Sequence, residues 1–129
     1  MTAKKHIEFA LIVFMALTAL SIFHESYSQT ATENSRLIIS FQSHASGIDG
    51  RAKKDIDTFI SDYEKEKNVR LAREVVGWGR EGELDYCFML SEITKEDQAD
   101  FVSRIGIKVK SSDRTSLQEN APCRKARVK

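Results

Sequence analysis

The sequence predicts an α+β domain with the ferredoxin-like βαββαβ order, in which a four-stranded antiparallel sheet carries both helices on one face. Three observations support this class: segments that alternate apolar and polar residues as strands do, segments with apolar residues at helical spacing, and a glycine-rich gap between two strand-like segments. Right-handed crossovers then give the spatial strand order 4-1-3-2, with the first and third strands at the centre.

The first strand is predicted over residues 36–43, where Leu37, Ile39 and Phe41 share one face. A loop follows that contains two glycines and the helix-capping candidates Ser46 and Asp49.

The first helix is predicted from a set of apolar residues at helical spacing. It ends near Asn68, a residue tolerated in the left-handed conformation that closes many helices. The buried set comprises Ala52, Ile56, Phe59, Ile60 and Tyr63.

Residues 69–76 and 83–91 have strand-like composition and form a predicted hairpin. In the second of these segments the apolar residues alternate with Asp85, Cys87 and Met89, which places those three side chains on the open face of the sheet, away from the helices. The joining glycines Gly77, Gly79 and Gly82 suit a turn wherever φ must be positive. The alternating apolar residues are Leu84, Tyr86, Phe88 and Leu90.

A second helix is predicted to begin at Thr94, whose hydroxyl can cap the amide of Asp97. Its end is ambiguous, because Ile105, Ile107 and Val109 alternate as a strand would while Val109 also continues the helical stripe. The last strand is therefore either residues 105–110 or residues 114–119.

The N-terminus resembles a secretory signal peptide, with Lys4 and Lys5 preceding an apolar run over residues 9–23. Ser26 and Ser28 predict cleavage after Ser28 and a periplasmic or secreted protein. An uncleaved membrane anchor is the alternative, although the run is shorter than the roughly 20 residues that span a bilayer. We expect a signal peptide over 1–28, a linker over 29–35, the domain over 36–120 and a basic tail over 121–129.

The formal net charge of +1 gives no general reason to expect nucleic acid as a partner. Cations are concentrated only in residues 124–129, which predict a solvated terminus or a weak contact with lipid headgroups or an acidic partner. A third possibility is an oligomeric structural module, in which the open face of the sheet pairs with a second copy of the chain to form a homodimer.

Export also determines how the two cysteines are interpreted, since disulfides persist in oxidising compartments. Cys87 and Cys123 are the only cysteines, and a tail crossing the open face could bring them together. We therefore expect a structural disulfide. The alternative is a small periplasmic enzyme or thiol protein that uses a free Cys87 with His44 or Arg80.

We expect a binding module rather than an enzyme, because no familiar catalytic or cofactor-binding motif occurs in the sequence. His44 is the one histidine after residue 28, and with two bridged cysteines it cannot build a usual zinc site. We therefore expect no metal and no cofactor, and the partner, a small ligand or a protein, stays open. The candidate binding residues surround the 77–83 hairpin loop and the loop after the first strand, where a helix N-terminus could hold an anion. They are Trp78, Arg80, Glu81, Glu83, Asp85, His44 and Arg51.

Overall fold

A computed structural model describes residues 33–126. The predicted signal peptide, its cleavage site, residues 29–32 of the predicted linker and residues 127–129 of the tail lie outside the described residues. Within residues 33–126, none of the helices is long and apolar enough to cross a membrane.

The described residues form one antiparallel four-stranded sheet and two helices. The strands lie in the order β2-β3-β1-β4, which is the predicted 4-1-3-2 order viewed from the other edge. The ferredoxin-like βαββαβ arrangement is thereby confirmed. The elements are β1 (Asn34–Phe41), α1 (Gly50–Lys67), β2 (Arg73–Gly77), β3 (Leu84–Phe88), α2 (Lys95–Val109) and β4 (Thr115–Pro122).

The main core lies between one face of the sheet and the two helices, as the alternation in the sequence requires. Phe101 of α2 stands at its centre, with ring centroids 4.9 Å from Tyr63, 5.8 Å from Phe59 and 5.8 Å from Phe88. The pairs with Tyr63 and Phe88 are edge-to-face, an arrangement that stabilises beyond the area that it buries. The strand residues on this face include Leu37, Ile39, Phe41, Tyr86 and Phe88.

The helix ends are fixed by the residues that the sequence indicated. Asp49 is the N-cap of α1, and Asn68 ends that helix in the left-handed conformation at φ 50°. At α2 the Thr94 hydroxyl accepts a hydrogen bond from the Asp97 amide at 3.2 Å. The two N-cap residues, Asp49 and Thr94, thus accept hydrogen bonds from amide groups that a helix leaves unpaired.

The structure resolves the ambiguity at the end of α2. The helix continues to Val109, and the last strand is β4, so a strand over residues 105–110 is wrong. A strand would place Ile105, Ile107 and Val109 on one face, whereas Ile105 and Val109 are buried and Ile107 is 72% exposed. Burial of two residues one helical turn apart, with the intervening isoleucine in solvent, is the helical pattern.

Strand boundaries differ from the predicted ones by a few residues. β2 begins at Arg73 rather than at Val69, because Glu64 of α1 binds the connection. Its carbonyl accepts from the Val69 amide at 3.0 Å and its carboxylate accepts from the Leu71 amide at 2.8 Å. Those amides are therefore not available to a neighbouring strand, and the residues serve as a connection.

Candidate functional site

The open face of the sheet carries a small apolar cluster of its own. Ile38, Val76 and Cys87 come from the three neighbouring strands β1, β2 and β3, and all three are buried. Ala121 and Cys123 pack against them from the end of β4. Residues 123–126 therefore turn back over the open face.

A disulfide joins Cys87 to Cys123, as the sequence predicted, with their Cα atoms 6.0 Å apart. Cys87 lies opposite Ile38 of β1 and Glu74 of β2, near the centre of the open face. The bond therefore fixes the start of the tail over the middle of the sheet. It also uses both cysteines of the chain, so the thiol-protein alternative lacks its free Cys87 in this structure.

Asp85 is a buried carboxylate on the same face, with 1% of its surface exposed. Trp78 donates its indole N–H to Asp85 Oδ1 at 2.8 Å. The other oxygen, Oδ2, lies 3.4 Å from Arg124 Nε and accepts no hydrogen bond within the described residues. Burying an ionised carboxylate is costly unless a cation and hydrogen bonds compensate it. Arg124 is the cation that faces this carboxylate.

Arg124 also covers the Trp78 ring. Its guanidinium carbon lies 4.0 Å from the ring centroid, within the range of a cation–π interaction. The tryptophan therefore packs on the open face and against the tail, and its ring is half-buried. We call Trp78, Asp85 and Arg124 the tail-anchoring triad, because they hold the tail beside the disulfide.

Among the predicted binding residues of the hairpin loop, Glu83 uses its side chain to maintain the shape of the loop. Glu83 accepts a hydrogen bond from the Glu81 amide at 2.8 Å, and its side chain fills the space that a Cβ at Gly79 would need. Gly82 has φ 89°, a conformation that side chains rarely adopt. The turn thus explains Glu83 and these glycines, while Arg80 is exposed to solvent.

The structure brings the two predicted groups of candidate residues to one end of the sheet. Ser43, in the loop after β1, donates a hydrogen bond to the Glu81 carboxylate of the hairpin loop. In the same loop His44 Nδ1 lies 3.9 Å from Asp113 Oδ2. Arg51 is exposed on the first turn of α1. These groups form an exposed polar end of the domain.

The N-terminus of α1 is already occupied by a carboxylate. Asp49 Oδ1 accepts from the Arg51 and Ala52 amides, each at 3.0 Å, and Ser112 donates to Oδ2 at 2.9 Å. The Ala52 amide and the Ser112 hydroxyl lower the pKa of Asp49. An anion at this end would compete with Asp49 for the same donors, so the geometry does not favour anion binding through these amides.

Replacing Asp49 with asparagine is expected to reduce stability at neutral pH and to matter less as the solution is acidified. Asparagine caps helices about as well as aspartate but carries no charge. A carboxyl whose pKa is lowered by folding stabilises fully above its ordinary value of about 4, and that contribution is lost as the pH falls through the lowered value. Urea unfolding over a pH series measures the difference.

The same pH series on Ser112→Ala, which removes one donor to the carboxylate, should show a smaller change of the same sign. A difference between Asp49→Asn and wild type that stays constant at every pH would contradict the role given to the Asp49 charge.

A groove of about 720 Å³ lies on the open face between β2 and β3 and the returning tail. Met89, 40% exposed, belongs to its apolar lining. Glu74 and Lys125 supply opposite charges, and Arg124 lines the groove as well as covering Trp78. Both cysteines of the disulfide line the groove, so the bond fixes the position of the tail, which forms one wall of the groove and is called the tail wall.

The role of Arg124 is not predicted from the sequence, because the basic run over residues 124–129 indicates a solvated tail. A signal for it was present, since Asp85 and Cys87 share a face two residues apart and Arg124 directly follows Cys123. A disulfide that draws Cys123 to Cys87 also draws the next residue towards Asp85. Met89 was placed on the open face, but Glu74 and Lys125 were not predicted to share a groove with it.

Fold and site together define a disulfide-bonded α+β domain of ferredoxin-like topology with a tail-covered sheet face. Within residues 33–126, no group of three or more His, Cys, Asp and Glu side chains could hold a metal ion. Comparisons with known protein families, with curated proteins and with solved structures found no match for this chain.

Proposed function

We propose that this protein is an exported binding domain that holds a small ligand or a segment of another protein in the open-face groove, beside the 77–83 hairpin loop. The single observation that carries the proposal is the groove itself, whose tail wall is fixed by the Cys87–Cys123 disulfide and by Arg124. A wall held by covalent and ionic contacts is already ordered before a partner arrives.

Such preorganisation favours binding, because less conformational entropy is lost when the complex forms. The exposed Met89 side chain offers a polarisable apolar contact that adapts to different shapes. Glu74 and Lys125 offer charges of both signs for orienting a polar partner. Six of the thirteen residues that line the groove are charged (Glu33, Arg73, Glu74, Glu92, Arg124 and Lys125), so the groove is more polar than most small-molecule sites and suits a polar or charged partner.

The hairpin loop extends the proposed surface. Arg80 is exposed there, and arginine is common among residues that dominate interfaces. Arg124 joins the two parts, since it lines the groove and stacks on Trp78 at the base of the hairpin loop.

Export is proposed from the signal-like N-terminal pattern together with the disulfide, which is compatible with an oxidising compartment. A periplasmic or secreted location after cleavage follows from this proposal, and the uncleaved membrane anchor stays the alternative. The weak lipid contact of the basic tail stays a prediction. Arg124 is engaged with Asp85, so such a contact would depend on the cations that follow it.

Site-specific photo-crosslinking tests the groove. Met89 is replaced by a photo-reactive benzoyl-phenylalanine in the cell that makes the protein, and Lys54 on the exposed surface of α1 is replaced in a control. After irradiation, the intact mass of the purified protein shows whether a small ligand or another protein has become covalently attached. We expect a defined adduct at position 89 and none at position 54. Equal labelling at both positions, or none at either, would argue against groove binding.

A further inference from the structure

The outer edge of β4 is a second surface suited to interaction. In the four-stranded sheet, β2 and β4 are the two edge strands. β2 has five residues and begins with the charged pair Arg73 and Glu74, whereas β4 has eight residues. An edge strand presents unpaired amide and carbonyl groups, and short or charged edges are common protection against pairing with another chain. Glu119 and Pro122 protect the end of β4, but residues 115–118 carry no charge and no proline, so this stretch around Leu117 has the weaker protection.

A groove of about 570 Å³ runs beside this edge, between β4 and α2. Its apolar lining includes Val102, Leu117 and Ile107, which is the most exposed large apolar side chain of the described residues. Gly106 leaves the helix surface open next to it. Leu117 lies opposite Ile39 and packs on the main core, so this groove is on the helix side of the sheet.

We propose that β4 pairs antiparallel with β4 of a second copy of this chain, across a two-fold axis near Leu117, and joins the two sheets into one. The new strand pair satisfies the outward backbone groups of both edges. Alternate side chains of each strand then enter the groove under the other copy's α2, where Ile107 loses its exposure to water. Both copies use the same surface, so the contact is isologous and no further copy can be added through it. This is the common form of a homodimer.

Charge complementarity favours a second copy as the occupant. Lys110 and Glu119 both line the groove. Lys110 lies at the Thr115 end of the groove, because the Thr115 hydroxyl donates a hydrogen bond to the carbonyl of Val109, the residue before Lys110. Antiparallel pairing centred on Leu117 sets Thr115 opposite the partner's Glu119, which brings Lys110 towards that carboxylate at both ends of the interface. Glu119 already contacts Arg36 at 2.5 Å, and a carboxylate can accept from both cations.

This surface is separate from the proposed ligand groove, since it lies on the helix side and at the opposite edge of the sheet from β2. Pairing through β4 leaves Trp78, Met89 and the tail accessible in both copies. The self-association proposed here therefore does not require that the open-face groove binds anything.

Sedimentation velocity over a wide concentration range tests the proposal on the mature protein, residues 29–129. It compares the wild type with two charge-reversal variants and with a mixture of those variants. The wild type should approach the mass of a dimer as concentration rises. Lys110→Glu and Glu119→Lys each create two like-charge contacts, so each variant alone should associate at least about tenfold more weakly. An equimolar mixture of the two restores both opposite-charge contacts and should associate within about threefold of wild type.

Recovery on mixing excludes a merely structural effect of the substitutions, including any repulsion between Arg36 and the lysine introduced at position 119. Lys108→Glu, on the same helix but outside the groove, is the matched control and should associate as wild type does. Ile107→Glu should abolish association while the circular dichroism spectrum stays native, because that side chain is exposed in the monomer. A wild type that stays monomeric, or a mixture no stronger than the single variants, would overturn the proposal.

Discussion

Replacing both cysteines with alanine is expected to lower the free energy of unfolding by about 3–4 kcal/mol. The bond closes a loop with a sequence separation of 36 residues, and cross-linking a loop of that length removes conformational freedom from the unfolded chain. Cys87 also packs with Ile38 and Val76, so its truncation removes some apolar contact as well. Because a domain is commonly stable by only about 5–15 kcal/mol, the loss would be a large fraction.

Equilibrium urea unfolding of the double variant and the wild type measures this effect. The wild type in reductant is the control, and it should fall close to the variant, while reductant should leave the variant unchanged. A double variant as stable as the oxidised wild type would show that the bond contributes nothing to the fold.

Arg124→Ala is expected to have the next largest effect, a loss of about 1–3 kcal/mol of unfolding free energy. The substitution leaves the Asp85 carboxylate, 1% exposed, without the cation that faces its Oδ2 atom. The cost lies below that of a fully buried pair, because Arg124 is partly exposed and water can approach when it is removed. Trp78, the only tryptophan, also loses its cover, so its fluorescence should shift to longer wavelength.

Two further variants make this result specific. Lys125→Ala removes the neighbouring cation of the tail and should change neither stability nor fluorescence. Combining Arg124→Ala with Asp85→Asn removes the uncompensated charge and should recover part of the lost stability. If Arg124→Ala behaved like Lys125→Ala, the tail-anchoring triad would have no energetic role.

Most of the fold could be predicted from the sequence because its local patterns agree with its tertiary structure. Leu37, Ile39 and Phe41 alternate cleanly, and Asn68 and Thr94 stand where the helices end and begin. The end of α2 could not be predicted from Ile105, Ile107 and Val109, since these residues fit both a helix and a strand. Only the packing of the main core, which buries the first and last of them, selects the helix.

The candidate site could be predicted in part. Strand alternation placed Asp85 and Cys87 on the open face, and two cysteines permit one intramolecular bond, so the disulfide was predictable. The path of the tail beyond Pro122 has no periodicity, and the role of Arg124 depends on that path. Trp78 was predicted as a binding candidate, and the structure places it against Arg124, so its first role is to hold the tail.

Intact mass measures most directly whether the disulfide fixes the tail on the open face of the exported protein. The protein exported from a bacterial host is alkylated under denaturing, non-reducing conditions and weighed. We expect the loss of residues 1–28 and no alkylated cysteine, which corresponds to a cleaved signal peptide and a Cys87–Cys123 bond. Two alkylated cysteines would contradict the fixed tail wall on which the proposed binding groove depends.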